Sequence, residues 1–501
     1  MRNSIAIAPW VIALWVIALW VVALIPFAGA TAADAPLPPA TEKAAPTAAP
    51  LTLDEVLRSS RRHAPQILEA IARVRQAEGK ALSTEGAFDT TIKAEAESRL
   101  TGYYDGQIAS GTIARPIENW GGSLYGGYRV SSGRFPIYED ERFTNNFGEV
   151  KVGAVLSLLR DRLIDDRRFA RGNARIDVDI AEADRLLTAI GVQRRAIAAY
   201  NLWVAAGLRL SVYHNLYKLA RSRQAGLERQ VQLGARPAII LTENEQNILR
   251  RETLVARAEQ DLALAANALS LFLRDATGAP LLPAPARLPT DFPPPARLKT
   301  DPRASIDARP DLRQIDLRMA QATSRLALDR NALQPRLDLK VEASQDIGPI
   351  GEGGRSRVGT ETKIGLSFTL PLQRRAAQGR IDQTSAEIDA IRRRRQQTEE
   401  QITAAIDALA IDVRATERLR SLAEAEHDRA TTMAGAEARR FMMGASDFFL
   451  VNAREEAAAD AGVRKLDAAY RQIVAHAELA AAAADLPALG LDSDVSGAKD
   501  E

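Results

Sequence analysis

Cysteine is missing from all 501 residues. The chain can form no disulfide and offers no thiol for an N-terminal lipid, so stability has to come from packing and association. A dominant charge is missing too: 66 Lys and Arg stand against 64 Asp and Glu, a formal +2. That balance supplies no basic surface of the kind a phosphate backbone requires, which argues against nucleic acid as a partner. Histidine is reduced to His63, His214, His427 and His476, each in its own helical context without ligand spacing. Phosphate-cradling glycine loops and nucleophile motifs are absent as well. The sequence therefore predicts no catalytic residue, no cofactor and no metal site. Long apolar runs are confined to the first residues; beyond Ile25 no stretch of 18 apolar residues occurs, so any later membrane crossing has to use strands.

At the N-terminus, Arg2, the apolar run Ile5 to Ile25, the helix breaker Pro26 and Ala28-Gly29-Ala30 follow the layout of a signal peptide cleaved after Ala30. The alternative is a retained anchor, because the run is about as long as a spanning helix. Residues 31–50 are mainly Ala, Pro and Thr, a composition that cannot bury a core and predicts a flexible leader.

Past the leader the chain repeats itself. His63-Ala64-Pro65 opens a helical stretch that reaches an alternating segment at Ile92, and Arg309-Pro310-Asp311 opens another that reaches Leu337; both intervals from proline to strand are 27 residues. A second alternating segment follows in each half, around Val152-Gly153 and Ile364-Gly365, and then a long charged helix ending at Gly234 or Gly444. The boundaries read as repeats at 51–275 and 308–485, a proline-rich linker at 276–307 and a flexible tail at 486–501.

Ile176, Ile180, Ala183, Leu187 and Ile190 step by coiled-coil spacing, as do Ile402, Ile406, Leu409 and Val413. Helices are predicted at 52–87, 159–233, 238–275, 308–334, 372–443 and 447–485. The two longest would be rods of roughly 110 Å, and the shorter pair in each half would stack end to end beside its long neighbour.

Four strands are predicted, at 92–100, 150–158, 337–343 and 363–370. Val150, Val152, Leu337, Leu339, Val341, Ile364, Leu366 and Phe368 fall on alternate positions, as in a barrel wall with an apolar side toward lipid and a polar side toward water. The loop between the first two strands holds Tyr103, Tyr104, Trp120, Tyr125, Tyr128, Phe135, Tyr138, Phe143 and Phe147, placed where an interfacial aromatic belt would sit. Within it the Gly-rich stretch 119–130 is read as loop. Four strands leave free edges, so several chains would have to share one barrel.

Taken in order, Leu51-Thr52-Leu53-Asp54-Glu55-Val56-Leu57, Ser367-Phe368-Thr369-Leu370-Pro371-Leu372 and Phe441-Met442-Met443-Gly444-Ala445-Ser446-Asp447-Phe448-Phe449 resemble the TolC family of outer-membrane efflux proteins. The resemblance implies a mainly α fold with a transmembrane β-barrel portion: a homotrimer whose twelve-stranded barrel, four strands per chain, stands on a coiled-coil α-barrel crossing the periplasm. It implies outer-membrane lipid around the barrel, and a periplasmic adaptor (membrane fusion) protein and an inner-membrane RND, ABC or MFS transporter as partners. Leu233-Gly234-Ala235-Arg236-Pro237 and Met443-Gly444-Ala445-Ser446 would be periplasmic tips contacting the adaptor. Family members often carry acidic residues just past the second glycine; here Asp447 is followed by Phe448-Phe449, making these three the gate candidates. The competing reading is a soluble periplasmic coiled-coil scaffold or adaptor, which would need no lipid-facing strands.

Overall fold

The computed structural model describes residues 49–298, 301–303, 306–351 and 358–491. The signal peptide, nearly all of the leader and the tail from 492 onward lie outside the described residues.

Seven α-helices are present among them: α1 (Leu53–His63), α2 (Pro65–Glu85), α3 (Asp166–Gln232), α4 (Ile239–Ser270), α5 (Pro310–Asn331), α6 (Arg375–Met442) and α7 (Phe448–Ala482). The single helix predicted over 52–87 is divided, because Pro65 has no N–H to continue α1 and forces the preceding Ala64 into an extended conformation at φ −65°, ψ 123°. Pro65 and Pro310 each stand at the first turn of a helix, where a missing N–H costs nothing. The long helices α3 and α6 have 67 and 68 residues, rods of about 100 Å. Helix α3 starts at Asp166, later than expected, because the Asp165 carboxylate accepts the Arg168 N–H at 2.8 Å and caps it there.

The helices form one layer. Helix α3 packs against α2 and α5 on its upper half and against α4 and α7 on its lower half, while α6 packs against α5 and then α7. Four columns result, in the order α2 over α4, then α3, then α5 over α7, then α6. The predicted end-to-end stacking of short helices beside long ones is therefore present in both halves. Midway along α3, Tyr200, Trp203 and Val204 are buried with Leu51, Val56, Leu269 and Ile473 in the main core. The linker is part of this packing, since Leu288 and Phe292 lie against the same cluster. So is the start of the supposed tail: Leu489 and Leu491 are buried there, which moves the end of the packed chain from 485 to at least 491.

One antiparallel sheet stands at the upper end, with β1 (Thr91–Ser98), β2 (Gln107–Pro116), β3 (Gly122–Ser132), β4 (Glu149–Ser157), β5 (Arg336–Asp346) and β6 (Thr360–Thr369) in sequence order. This corrects the expected four strands to six. The stretch 119–130, read as loop, mostly belongs to β3, and β2 was not anticipated at all. Both strands are diluted by Gly111, Gly126, Gly127 and several serines, whose side chains give no apolar-to-polar contrast for a pattern to reveal. Backbone pairing does not need that contrast: β2 and β3 pair continuously from Gln107↔Ser132 to Pro116↔Ser123.

Candidate functional site

Strand register decides which side chains share a face. Val152 pairs with Ala343, Ala154 with Val341, Val341 with Ile364, Leu339 with Leu366 and Leu337 with Phe368, while Tyr128 pairs with Val150. All eight residues predicted for the apolar side thus lie on one face, and β1 to β3 extend it through Ile92, Ile113 and Leu124. In the isolated chain this face is open: Ile92 is 76% exposed and Ile364 72%. The opposite face carries paired charges of both signs. Arg129 meets Glu149 at 2.6 Å, Lys340 meets Glu342 at 3.1 Å and Lys363 meets Glu361 at 3.1 Å. Glu342 also accepts the Tyr125 hydroxyl.

The aromatic residues of the region divide three ways. Tyr103, Tyr138 and Phe147 are exposed at the rim away from the helices, and the Tyr128 hydroxyl donates to the Phe147 carbonyl at 2.7 Å. Trp120 stands at the rim nearer the helices, donating its indole N–H to the Ser157 carbonyl at 3.1 Å with the Arg162 guanidinium 4.8 Å over its ring. Phe135 and Phe143 are buried against each other, ring centroids 5.1 Å apart, and Tyr125 points to the charged face. Three of the nine residues expected in a belt are therefore placed otherwise: Phe135 and Phe143 pack the loop and Tyr125 lies on the polar side.

At the far end of the layer the two predicted turns are built alike. Gly234 has φ 71° and Gly444 φ 73°. The Gly234 N–H reaches the Val231 carbonyl and Ala235 reaches Gln230; Gly444 reaches Phe441 and Ala445 reaches Arg440 in the same pattern, closing each helix with a Schellman motif. Nothing lies within 4 Å of a Cβ built on either glycine, so the left-handed backbone is the sole reason glycine is needed there. Gly234→Ala and Gly444→Ala should each cost about 1–2 kcal/mol of backbone strain. A thermal-unfolding series is expected to show Asn, which tolerates this conformation, falling between Gly and Ala.

Around the turns, Leu233, Met442 and Met443 are exposed. The Arg236 guanidinium lies 5.4 Å over the Phe441 ring, which brings the two tips side by side. Ser446 donates its hydroxyl to Glu437, and Asp447 caps α7 by accepting the Leu450 N–H at 2.6 Å. The gate candidates separate here: Phe448 is 5% exposed and packs with Leu227 and Ile240, whereas Phe449 is 79% exposed. Phe448 is core to the tip, which leaves Asp447 and Phe449 on its surface.

Above the tips lies a polar cluster that no motif announced. Arg251 of α4, fully buried, donates to Glu455 of α7 at 3.1 Å, to Asn452 at 3.2 Å and to the Leu216 carbonyl of α3 at 2.8 Å. Arg223 of α3 donates to the same Asn452 at 2.8 Å and pairs with the same Glu455. Burial pulls the Arg251 guanidinium below its ordinary range, and Glu455 opposes the shift. One glutamate thereby ties three helix columns together. A signal existed in the spacing: Ile240, Asn244, Ile248, Arg251, Val255 and Ala258 trace the buried seam of α4, with Arg251 at an apolar step.

Residues 302–485 match the family profile described as Outer membrane efflux protein. No curated relative matches the chain. Among solved structures it is similar to the CmeC outer membrane channel of Campylobacter jejuni, at 14% identity and TM-score 0.59, covering 89% of this chain and 88% of that one. It is also similar to the outer membrane protein VceC of Vibrio cholerae, at 16% identity and TM-score 0.59, covering 87% and 96%. The open state of the Neisseria gonorrhoeae MtrE outer membrane channel matches at 14% identity and TM-score 0.57, covering 86% and 88%. Residues 302–485 thus carry the sequence signature of outer membrane efflux proteins, and the described chain has the fold of these outer-membrane channel structures.

Proposed function

We propose that the chain is one subunit of a homotrimeric outer-membrane channel that passively releases cargo delivered from the inner membrane, in an efflux or type I secretion assembly. The sheet supplies the membrane wall and the helix layer supplies a shaft through the periplasm. The tips at Leu233–Pro237 and Met443–Ser446 dock a periplasmic adaptor, which joins them to an inner-membrane transporter of the RND, ABC or MFS class.

The carrying observation is the apolar face, on which Arg115 at the rim nearer the helices is the one charged strand residue among those described, on a sheet whose outer strands, β1 and β6, each have an unpaired edge. Water would penalise both features, whereas lipid covers the face and neighbouring copies cover the edges. The outer column supports the same assembly, since α6 exposes Ile411, Leu419 and Leu422 just past its midpoint. Expressed in a Gram-negative host, the full chain is expected in the outer-membrane fraction as a detergent-extracted trimer that dissociates on heating. Recovery as a wash-soluble monomer would overturn the proposal.

Repeated by threefold symmetry, Asp447 and Phe449 would ring the periplasmic opening. Asp447→Asn retains a cap acceptor but removes the charge, so it should alter single-channel conductance while leaving the unfolding temperature unchanged. Identical conductance would remove Asp447 from the gate.

A further inference from the structure

We infer that the β2–β3 hairpin is a full-height part of the membrane wall, so that each chain contributes six strands and a trimer closes an eighteen-stranded barrel. The inference rests on the proposed lipid-facing, multi-copy wall.

The hairpin runs between the same two rims as its neighbours. At the helix end, the Gly121 N–H donates to the Arg162 carbonyl at 3.0 Å, and Glu118 pairs at 3.6 Å with Arg171 of α3. At the other end, the Arg134 N–H meets the Asp105 carboxylate at 2.8 Å, and the Ser131 N–H meets the Thr144 hydroxyl at 3.0 Å. The ladder is unbroken from β1 to β6, and β1 never pairs with β4, so the hairpin cannot be set aside as an appendage above a four-stranded wall.

Its faces match as well. Ile113 and Leu124 continue the apolar side, with Arg115 opposite Leu124 at the rim nearer the helices, while Ser110, Thr112 and Arg129 continue the polar one. A hairpin standing in water beyond the membrane would gain nothing from that continuity.

Barrel diameter grows roughly linearly with strand number, so eighteen strands make a pore about 1.5-fold wider than twelve.

The cysteine-free chain allows a direct test. Ile113→Cys and Leu124→Cys probe the hairpin, Ser110→Cys its polar side, and Leu366→Cys serves as the reference on β6, each in the full-length protein in outer-membrane vesicles. The expected result is modification of Ile113→Cys, Leu124→Cys and Leu366→Cys by a lipid-dissolved maleimide, with Ser110→Cys reached only by a small aqueous one. If Leu366→Cys reacts from lipid while both apolar hairpin positions react only from water, the six-strand wall is overturned and the channel reading stands. If Leu366→Cys also fails to react from lipid, the channel reading itself falls, and the inference with it. Electron cryo-microscopy of the wild-type assembly in nanodiscs gives a second readout independent of any variant. Eighteen strands in cross-section support the inference, and twelve with the hairpin off the wall refute it.

Discussion

Ile364→Lys is expected to abolish assembly in the outer membrane. Ile364 lies near the middle of β6, pairs with Val341 and is openly exposed on the apolar face. A lysine at mid-bilayer on the lipid side of a barrel costs about 2–4 kcal/mol, which threefold repetition raises to roughly 6–12 kcal/mol per assembly. That sum is comparable to the whole stability of an ordinary domain. The matched control is Ser367→Lys, three residues along and on the charged face, which should assemble normally. Heat-modifiable trimer in outer-membrane extracts is the measurement; equal yields from both variants would mean that the two faces do not see different solvents.

Glu455→Ala carries the second large effect. Glu455 partners both Arg223 and the fully buried Arg251, so its removal leaves two guanidinium groups together at a buried junction. Breaking a buried pair by deleting one partner costs about 3–5 kcal/mol, because the remaining charge stays desolvated. The neighbouring Glu456 pairs with the largely exposed Arg250 and reaches Arg251 only at 4.0 Å, so Glu456→Ala should cost less than about 1 kcal/mol. Combining Arg251→Met with Glu455→Leu should recover most of the loss, since it empties the deepest site of charge while Arg223 keeps Asn452. Chemical unfolding of the detergent-extracted protein separates these cases. A Glu455→Ala variant as stable as Glu456→Ala would show that the cluster contributes nothing to holding the three columns together.

The helical half of the molecule was written plainly in local chemistry. Pro65 and Pro310 fix where helices start, Gly234 and Gly444 fix where they turn, and the seam of Ile402, Ile406 and Val413 is buried where its spacing places it. The same holds for β5 and β6, where Leu339, Val341, Leu366 and Phe368 alternate with charged or small residues strongly enough to announce two faces. Each of these features is decided within a few residues along the chain, so neighbours in sequence suffice to read it.

What only the tertiary structure decided has a common cause. Strands β2 and β3 are held by backbone hydrogen bonds to β1, β4 and each other, and glycine and serine join such a ladder without leaving a hydrophobic period behind. Phe448 and Phe449 are adjacent and chemically identical, yet the packing of α7 against Leu227 and Ile240 buries one and exposes the other. Arg251 and Glu455 lie 204 positions apart and look like ordinary solvated charges until α3, α4 and α7 close around them. Helix ends and alternating faces are properties of a segment; strand count, buried charge and the inward member of an aromatic pair depend on which segments become neighbours, and that is settled by long-range contacts no local pattern encodes.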